Sequence, residues 1–431
     1  MYTLGGRLLR TVLAVALGVL IARVLGPYQR GLYALPTAVY TGLVTAVFSG
    51  ISLAVSYFML TAGAGREILR PALIAAALFT VAGAVPVAAA AQLGHNAWAV
   101  IPSVLVLPWS AVGMVLLGYA VGSKQIRWQT TYALVSTAAL LLGIGVAFVV
   151  LPHTARVAVS AFLAVNALLA AASLWIVFRD AVPRTGNPVS LRAFLVYALR
   201  VGFVSLVTLL NYRADLYVVA ILTTTALLGQ YAVAISAAEG LLVVTQVASI
   251  VTSPHVGSMD KKGAAELTAQ CVRATLLISA PICAVFFFAA PLVVRVLYGA
   301  AYLPLVPSLR VLLVAVLVLS LGSPISNFFT LNRGKPEVAL ASALAAACVC
   351  LAISWVLVPR IGTIGAAMAT ALAYLLGEGM RMGFFMAATG MRIGAILVPT
   401  RGDVEAYALL IRSAARDASR RALRRSNTRS A

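Results

Sequence analysis

Apolar runs of bilayer-crossing length follow one another along almost the whole chain, and that succession leaves few possible folds. A lipid interior offers no water to satisfy backbone N–H and C=O groups, so a chain that stays there must be helical or a closed barrel. Runs of about 20 residues fit helices; barrel strands need only about ten. Of the 431 residues, 62% are hydrophobic and 10% charged, far below the charge a water-facing surface requires. Both figures exclude an ordinary soluble enzyme and place the chain in a membrane.

Gly, Pro and charged residues divide the runs into twelve expected helices, near 8–25, 31–60, 71–92, 97–121, 129–151, 157–178, 193–222, 228–255, 267–291, 306–330, 337–358 and 363–388. Arg7 and Arg10 precede the first run in the manner of a signal peptide. That run leads straight into further spans, so it reads as a retained helix. The connecting loops alternate in charge. Arg7, Arg10, Arg66, Arg70, Lys124, Arg127, Arg179, Arg184, Arg192, Lys261, Lys262, Arg273, Arg333 and Lys335 fall on one side. Only Arg23, Arg30, Arg156, Arg295, Arg310 and Arg360 fall on the other. Basic loops stay in the cytoplasm, which predicts a multi-pass cell-membrane protein with both termini inside.

The net charge of +21 would suit nucleic acid if it covered one folded face. It is spread instead over short loops and the C-terminal tail, so no nucleic-acid partner is expected. From Asp403 to Asn427, Val404, Tyr407, Ile411, Ala414, Ala418 and Ala422 recur at helical spacing among six arginines (Arg412, Arg416, Arg420, Arg421, Arg424 and Arg425). Such an amphipathic helix would lie on anionic lipid; equally, a frayed basic tail would do no more than enforce topology. Cys271, Cys283, Cys348 and Cys350 fall inside spans and read as small packing residues, while His95, His153 and His255 lack ligand spacing, so no metal site is expected.

The longest polar connector, Arg179 to Phe194, parts the spans six and six. The expected organisation is an N-terminal six-helix lobe at 1–178, a cytoplasmic linker at 179–192, a C-terminal six-helix lobe at 193–390 and a basic tail at 391–431. The halves echo each other. RGLYALPTAVYTGL (Arg30 to Leu43) overlies LGQYAVAISAAEGL (Leu228 to Leu241) at a spacing of 198 residues, pairing Gly31 with Gly229, Tyr33 with Tyr231 and Gly42 with Gly240. A weaker echo sets Leu151-Pro152 over Val358-Pro359 at the outer ends of the fifth and eleventh spans. Six is even, so the halves share one orientation, a parallel repeat of the kind that transporters rock around a central site.

ARVLGPYQRGLYAL (Ala22 to Leu35) resembles the junction of the first and second helices in O-antigen-type polysaccharide flippases of the multidrug/oligosaccharidyl-lipid/polysaccharide (MOP) superfamily. NYRADLYVVAI with LGQYAVAISAAEGL is similar to that family's seventh and eighth helices, PLVVRVLYGAAYLPLVPSLRVL to its ninth and tenth, and VPRIGTIGAAMATALAY to its eleventh and twelfth. The likeness runs from about Arg7 to Phe385. It implies an all-α integral membrane fold, MATE-like, with two pseudo-symmetric six-helix lobes in a V. It also implies flipping of a polyprenyl-diphosphate-linked sugar to the outer leaflet. Members that move the peptidoglycan precursor carry more helices and a denser set of cavity arginines, neither of which is evident here, so a cell-surface polysaccharide unit is the expected cargo.

A charge near the bilayer centre costs roughly 2.5–3.5 kcal/mol on insertion scales, so each one inside a span calls for a reason. Glu378 and Arg381, three apart, should pair with each other as a structural couple. Arg213 and Asp215, two apart, cannot. Arg213 lies nine residues from Leu222 and Glu239 eleven from Leu228, depths of about 13 and 16 Å at the helical rise, so a hairpin would bring them together. That leaves Asp215, with Asn211 one turn away, facing a cavity as a proton or sodium coupling site alongside Glu239.

A diphosphate calls for arginine, whose fork of donors grips two oxygens at once. Arg23, Arg30, Arg200 and Arg213 are the expected anion path, although Arg23 and Arg30 could instead anchor the helix end and Arg200 could snorkel to the headgroups. Tyr33, Tyr40, Asn211, Tyr212 and Tyr231 could meet sugars. The expected function is an alternating-access flippase for a lipid-linked oligosaccharide, with polysaccharide assembly enzymes as partners, no cofactor and no covalent chemistry. A cation-coupled multidrug antiporter of the same fold is the rival, sustained by Asp215 and Glu239. A membrane glycosyltransferase or polymerase would need catalytic acids or histidines in sizeable outer loops, and the outer loops here are short and poor in Asp, Glu and His; a pump would need a phosphate-binding motif, and the sequence shows none.

Overall fold

The computed structural model describes residues 2–61, 66–93, 97–123, 126–179, 188–400 and 402–403. Among them every regular element is helical. In chain order these are α1 (Tyr2–Leu43), a π-helical turn (Val44–Phe48), α2 (Ser49–Thr61), a 3-10 turn (Arg66–Ile68), α3 (Leu69–Leu93), α4 (Ala97–Gly122), α5 (Ile126–Val150), α6 (Ala155–Arg179), α7 (Leu191–Leu222), α8 (Thr225–Ser258), α9 (Lys261–Leu297), a 3-10 segment (Ala300–Leu305), α10 (Val306–Asn327), a second π-helical turn (Phe328–Asn332), α11 (Glu337–Thr389) and α12 (Ile393–Leu397). Most of the expected tail helix, residues 404–431, and most of the expected linker, residues 180–187, lie outside the described residues.

Two helices are interrupted where the sequence punctuates them. Gly26 in α1 sits at φ 67, ψ 174, a conformation that costs a Cβ-bearing residue dearly, and Pro27 follows with no N–H to continue the ladder. In α11, Pro359 is followed by Ile361 and by Gly362 at φ 63. These breaks fall at the boundaries expected near residues 25–31 and 358–363. Among the described residues nine helices are long and apolar enough to span a bilayer. The nine differ from the expected twelve because α1 and α11 each run through a kink, while Ser49–Thr61 and Leu69–Ala84 count as shorter apolar helices. Large apolar side chains such as Val149 (87% exposed) and Phe288 (76%) face outward, as lipid-facing residues do.

The chain forms two compact units. The first is built from Met1–Gly240, Phe287–Leu313 and Ala343–Ala373. Its core gathers Tyr33, Tyr40, Ile51, Tyr119, Ile144 and Phe162, with the Tyr33 and Tyr40 rings edge-on to Phe162. Hydrocarbon gives helices no hydrophobic push toward one another, so close approach of small residues does much of the joining. Gly118 of α4 lies against the Ser52 carbonyl of α2, and Ser56 Oγ donates to Gly118 O at 2.8 Å. Pro291 in α9 removes the N–H that would reach Phe287 O, and Arg310 Nε takes its place at 3.1 Å.

The second unit is built from Leu241–Phe286, Val314–Ser342 and the chain from Tyr374 onward. Val256, Phe328, Phe329, Phe385 and Ile396 form its core, with Phe328 and Phe385 edge to face at 5.0 Å. Arg273 ties the C-terminal segment down. It donates to both carboxylate oxygens of Asp403, at 2.6 and 3.2 Å, and to Ala395 O. That bond, with help from Thr400, holds the Asp403 carboxyl at about 2 against an ordinary 3.8.

Candidate functional site

Beyond the Gly26 kink, α1 presents Arg30, Ala34, Thr37, Ala38 and Thr41 at spacings of three and four, which puts them along one helical face. With Arg213 and Leu216 of α7, Ala232, Ile235 and Ser236 of α8, and Tyr33 and Phe162, that face encloses a pocket of about 210 Å³. Its charged lining residues are both arginines. Arg30 is 8% exposed, its guanidinium carbon sits 5.1 Å from the Tyr33 ring centre, and its Nε has no hydrogen-bond partner among the described residues. A buried guanidinium with an unused donor is costly unless an anion or water completes it.

Arg213 and Glu239 meet at 2.8 Å, as the depth argument for an α7–α8 hairpin expects. Their side chains remain 32% and 29% exposed, so the pair is not sealed within helix packing, and of the two only Arg213 lines the pocket.

Asp215 faces the other way. It is 3% exposed and accepts from Tyr231 Oη at 2.6 Å, Thr370 Oγ1 at 2.7 Å and Leu216 N at 2.7 Å. Ala214, Ala346, Cys350 and Ala373 pack around the cluster. The carboxylate expected to face open space is thus held inside the contact of α7, α8 and α11. Arg213 and Asp215 point to different sides because residues two apart on a helix must. Asn211 is 6% exposed, and its Oδ1 accepts from no group among the described residues.

The four arginines of the expected anion path separate. Arg30 and Arg213 share the pocket. Arg23 is committed to the end of α9, its Nε donating to Leu297 O at 2.8 Å and its Nη2 to Val296 O, two of the last-turn carbonyls no helix can satisfy alone. Arg200 is exposed on α7 and lines none of the described pockets. In the second unit Glu378 and Arg381 pair at 2.7 Å, as expected, and Arg381 Nε also reaches Ser342 Oγ at 2.7 Å. Glu378 Oε2 stays buried without a partner among the described residues, over the bare backbone of Gly322. The sequence alone does not single out Thr370 or Ser342; hydroxyls are common in such helices, and only the rotation of distant spans reveals which ones meet a charge.

A model of a family described as "Polysaccharide biosynthesis protein" matches residues 20–307. No curated protein matches the chain. Among solved structures, one titled "Lipid II flippase MurJ, inward closed conformation" superposes at TM-score 0.74 with 14% identity, covering 88% of each chain. An inward-facing multidrug resistance MATE family transporter of the MOP superfamily superposes at 0.70 with 17% identity, over 89% of this chain and 96% of that one. A MOP superfamily transporter from Pyrococcus furiosus, described as having a binding pocket of reverse polarity, superposes at 0.61 with 15% identity, over 90% of this chain and 94% of that one. At these identities the likeness is one of fold: an all-helical MOP fold in a multi-pass membrane protein.

Proposed function

We propose, from the premise that this chain belongs to the polysaccharide biosynthesis protein family, that it is a MOP-fold flippase for a polyprenyl-diphosphate-linked oligosaccharide. It would work in the cell membrane with both termini in the cytoplasm. The observation that carries the reading is the pocket lined by Arg30 and Arg213, with Thr37, Thr41 and Ser236 beside them and no acidic residue on its wall. Arginine forks suit phosphate oxygens, and hydroxyls suit a sugar. A cavity built for cationic drugs would turn carboxylates inward, whereas here Glu239 is bound to Arg213 and Asp215 to Tyr231 and Thr370.

Transport needs no covalent step in this reading; it needs a headgroup held while one helix set moves against another. Asp215 supports coupling to a proton or sodium ion. One carboxylate gathers donors from three helices, so adding a cation there, or removing it, changes which hydroxyls must turn away. The basic tail and polysaccharide assembly enzymes complete the proposed surroundings, through anionic lipid and product hand-off.

The test uses proteoliposomes carrying a fluorescent polyprenyl-diphosphate oligosaccharide and a membrane-impermeant quencher. Wild type should bring label within reach of the quencher faster than empty liposomes, and Arg30→Ala and Arg213→Ala should each remove most of that gain. Quenching no faster than in empty liposomes, across several sugars and with proton or sodium gradients, would overturn the reading and favour drug efflux by the same fold.

A further inference from the structure

The largest of the described cavities takes no part in the scheme above, yet it lies against the arginine pocket. It measures about 630 Å³, within the range of small-molecule sites, and is lined by α1, α3 and α7. No charged side chain lines it. Its one phenol, Tyr217, donates to Ala38 O at 3.1 Å. Ala38 in turn lines the arginine pocket, so this hydrogen bond forms part of the wall between the two spaces.

Helical periodicity sets up the division on α1. On α1, Ala38 and Thr41 face the arginine pocket while Val39, Gly42 and Leu43 face the apolar cavity. On α7, Arg213 and Leu216 face the first, and Leu206, Leu209, Leu210 and Tyr217 the second. Gly42 keeps this seam thin, because a Cβ there would sit 2.7 Å from Tyr217 Oη. Small residues (Gly42, Ala82, Ala198 and Gly202) alternate with bulky ones, among them Phe79 and Phe203, so the lining is uneven. Phe203 and Leu206 are 56% and 40% exposed, which opens the cavity sideways to lipid.

We propose that this groove between α1, α3 and α7 holds the polyprenyl tail of the same lipid whose diphosphate lies between Arg30 and Arg213, an inference that rests on the function proposed above. A charged head joined to a long apolar chain fits two adjoining compartments of opposite character better than either one alone. An uneven lining suits a chain with a methyl branch on every fourth carbon, whose branches drop between the bulky side chains. Tail capture anchors the substrate while the head is exchanged, and it selects polyprenyl carriers over straight-chain lipids.

The test puts a photoreactive benzoyl-phenylalanine at position 203 of the full chain in liposomes. The probes are a tail-labelled polyprenyl-diphosphate oligosaccharide, tail-labelled phosphatidylglycerol at the same mole fraction, and a water-soluble methyl-diphosphate oligosaccharide that carries the head alone. The expected result is labelling by the polyprenyl lipid about tenfold above phosphatidylglycerol. Filling the groove with Ala82→Phe should weaken polyprenyl-lipid binding about tenfold, the effect of losing a couple of buried methylene contacts, and leave head-only binding unchanged. Equal labelling by both lipids would overturn the proposal, with ordinary bilayer chains as the occupant. So would undiminished polyprenyl-lipid binding by Ala82→Phe, in which case the flippase reading would stand. Failure of the head-only probe to bind wild type would sink the flippase reading, and this proposal with it.

Discussion

Gly31 of α1 and Gly229 of α8 pack reciprocally, each pressed against the partner helix one turn ahead of the other glycine. A Cβ on Gly31 would run into Thr225 O, and one on Gly229 would run into Pro27 O and approach Gly31 N to 2.7 Å. Pro27 and Thr225 are separated by the same 198 residues as Gly31 and Gly229 (27 to 225, 31 to 229), so the internal repeat matches itself across this contact. The two helices that meet here both line the arginine pocket. Backbone cannot retreat as a side-chain tip can, so Gly31→Ala or Gly229→Ala should cost about 1–3 kcal/mol through overpacking. Gly18→Ala is the control, since a methyl at that position of α1 would meet nothing within 4 Å. Thermal unfolding in detergent should show lower Tm for the first two variants only; equal Tm values for all three would refute the tight contact.

A double-mutant cycle tests the Arg213–Glu239 pair. At about 30% exposure on each side, the pair is expected to contribute on the order of 1 kcal/mol, the upper range for a partly hydrated bridge. Arg213→Ala leaves Glu239 without that partner, so the single variant should be less stable than Arg213→Ala/Glu239→Gln. Glu239→Gln alone releases the Arg213 guanidinium and should tighten binding of the head-only diphosphate probe. Additive stability changes, or weaker binding by Glu239→Gln, would contradict this placement.

Why that pair is legible in the sequence while others are not follows from helix geometry. Depth along a span depends only on the fixed rise per residue, so counting from Leu222 and Leu228 is enough to bring Arg213 to Glu239. Span ends are readable for a similar reason: Gly26-Pro27 and Pro359 to Gly362 disrupt helices by local chemistry. The rotation of each span about its own axis is not readable. Lipid and protein interior are both apolar, so no polar stripe marks the outward face. Asp215 accordingly meets Thr370, 155 residues away, and Arg23 meets Leu297, 274 away, contacts that no pattern within either helix announces.

Asp215→Asn tests the coupling role without changing volume. The amide can still accept from Tyr231 or Thr370, so the fold should persist and Tm should move by only a few degrees. Flipping should fall by about tenfold or more and lose its response to sodium and pH, a barrier change of order 1.4 kcal/mol or above. Thr370→Val, which removes one hydroxyl from the same carboxylate, should shift the cation concentration needed for half-maximal rate. Wild-type rates at every pH and sodium level in Asp215→Asn would end the coupling hypothesis.

The Asp403 carboxylate predicts an acid-sensitive contact at the C-terminal segment. Its value is depressed to about 2 in the folded chain by the Arg273 bond, against 3.8 when free. A depressed carboxylate stabilises the fold fully above its free value, and that contribution fades as pH falls from about 4 toward about 2, because the folded state must then take up a proton it resists. Protonation removes the ionic acceptor for Arg273, which keeps only its bond to Ala395 O. Wild type should therefore lose more stability between pH 5 and pH 2 than Asp403→Asn, whose neutral amide lacks the ionic bond to Arg273 at both. Proteolytic cleavage between Arg392 and Thr400 should report the same difference, with the variant cut readily at pH 5 and wild type protected. Parallel pH profiles for the two proteins would mean that Arg273 does not hold this segment through Asp403.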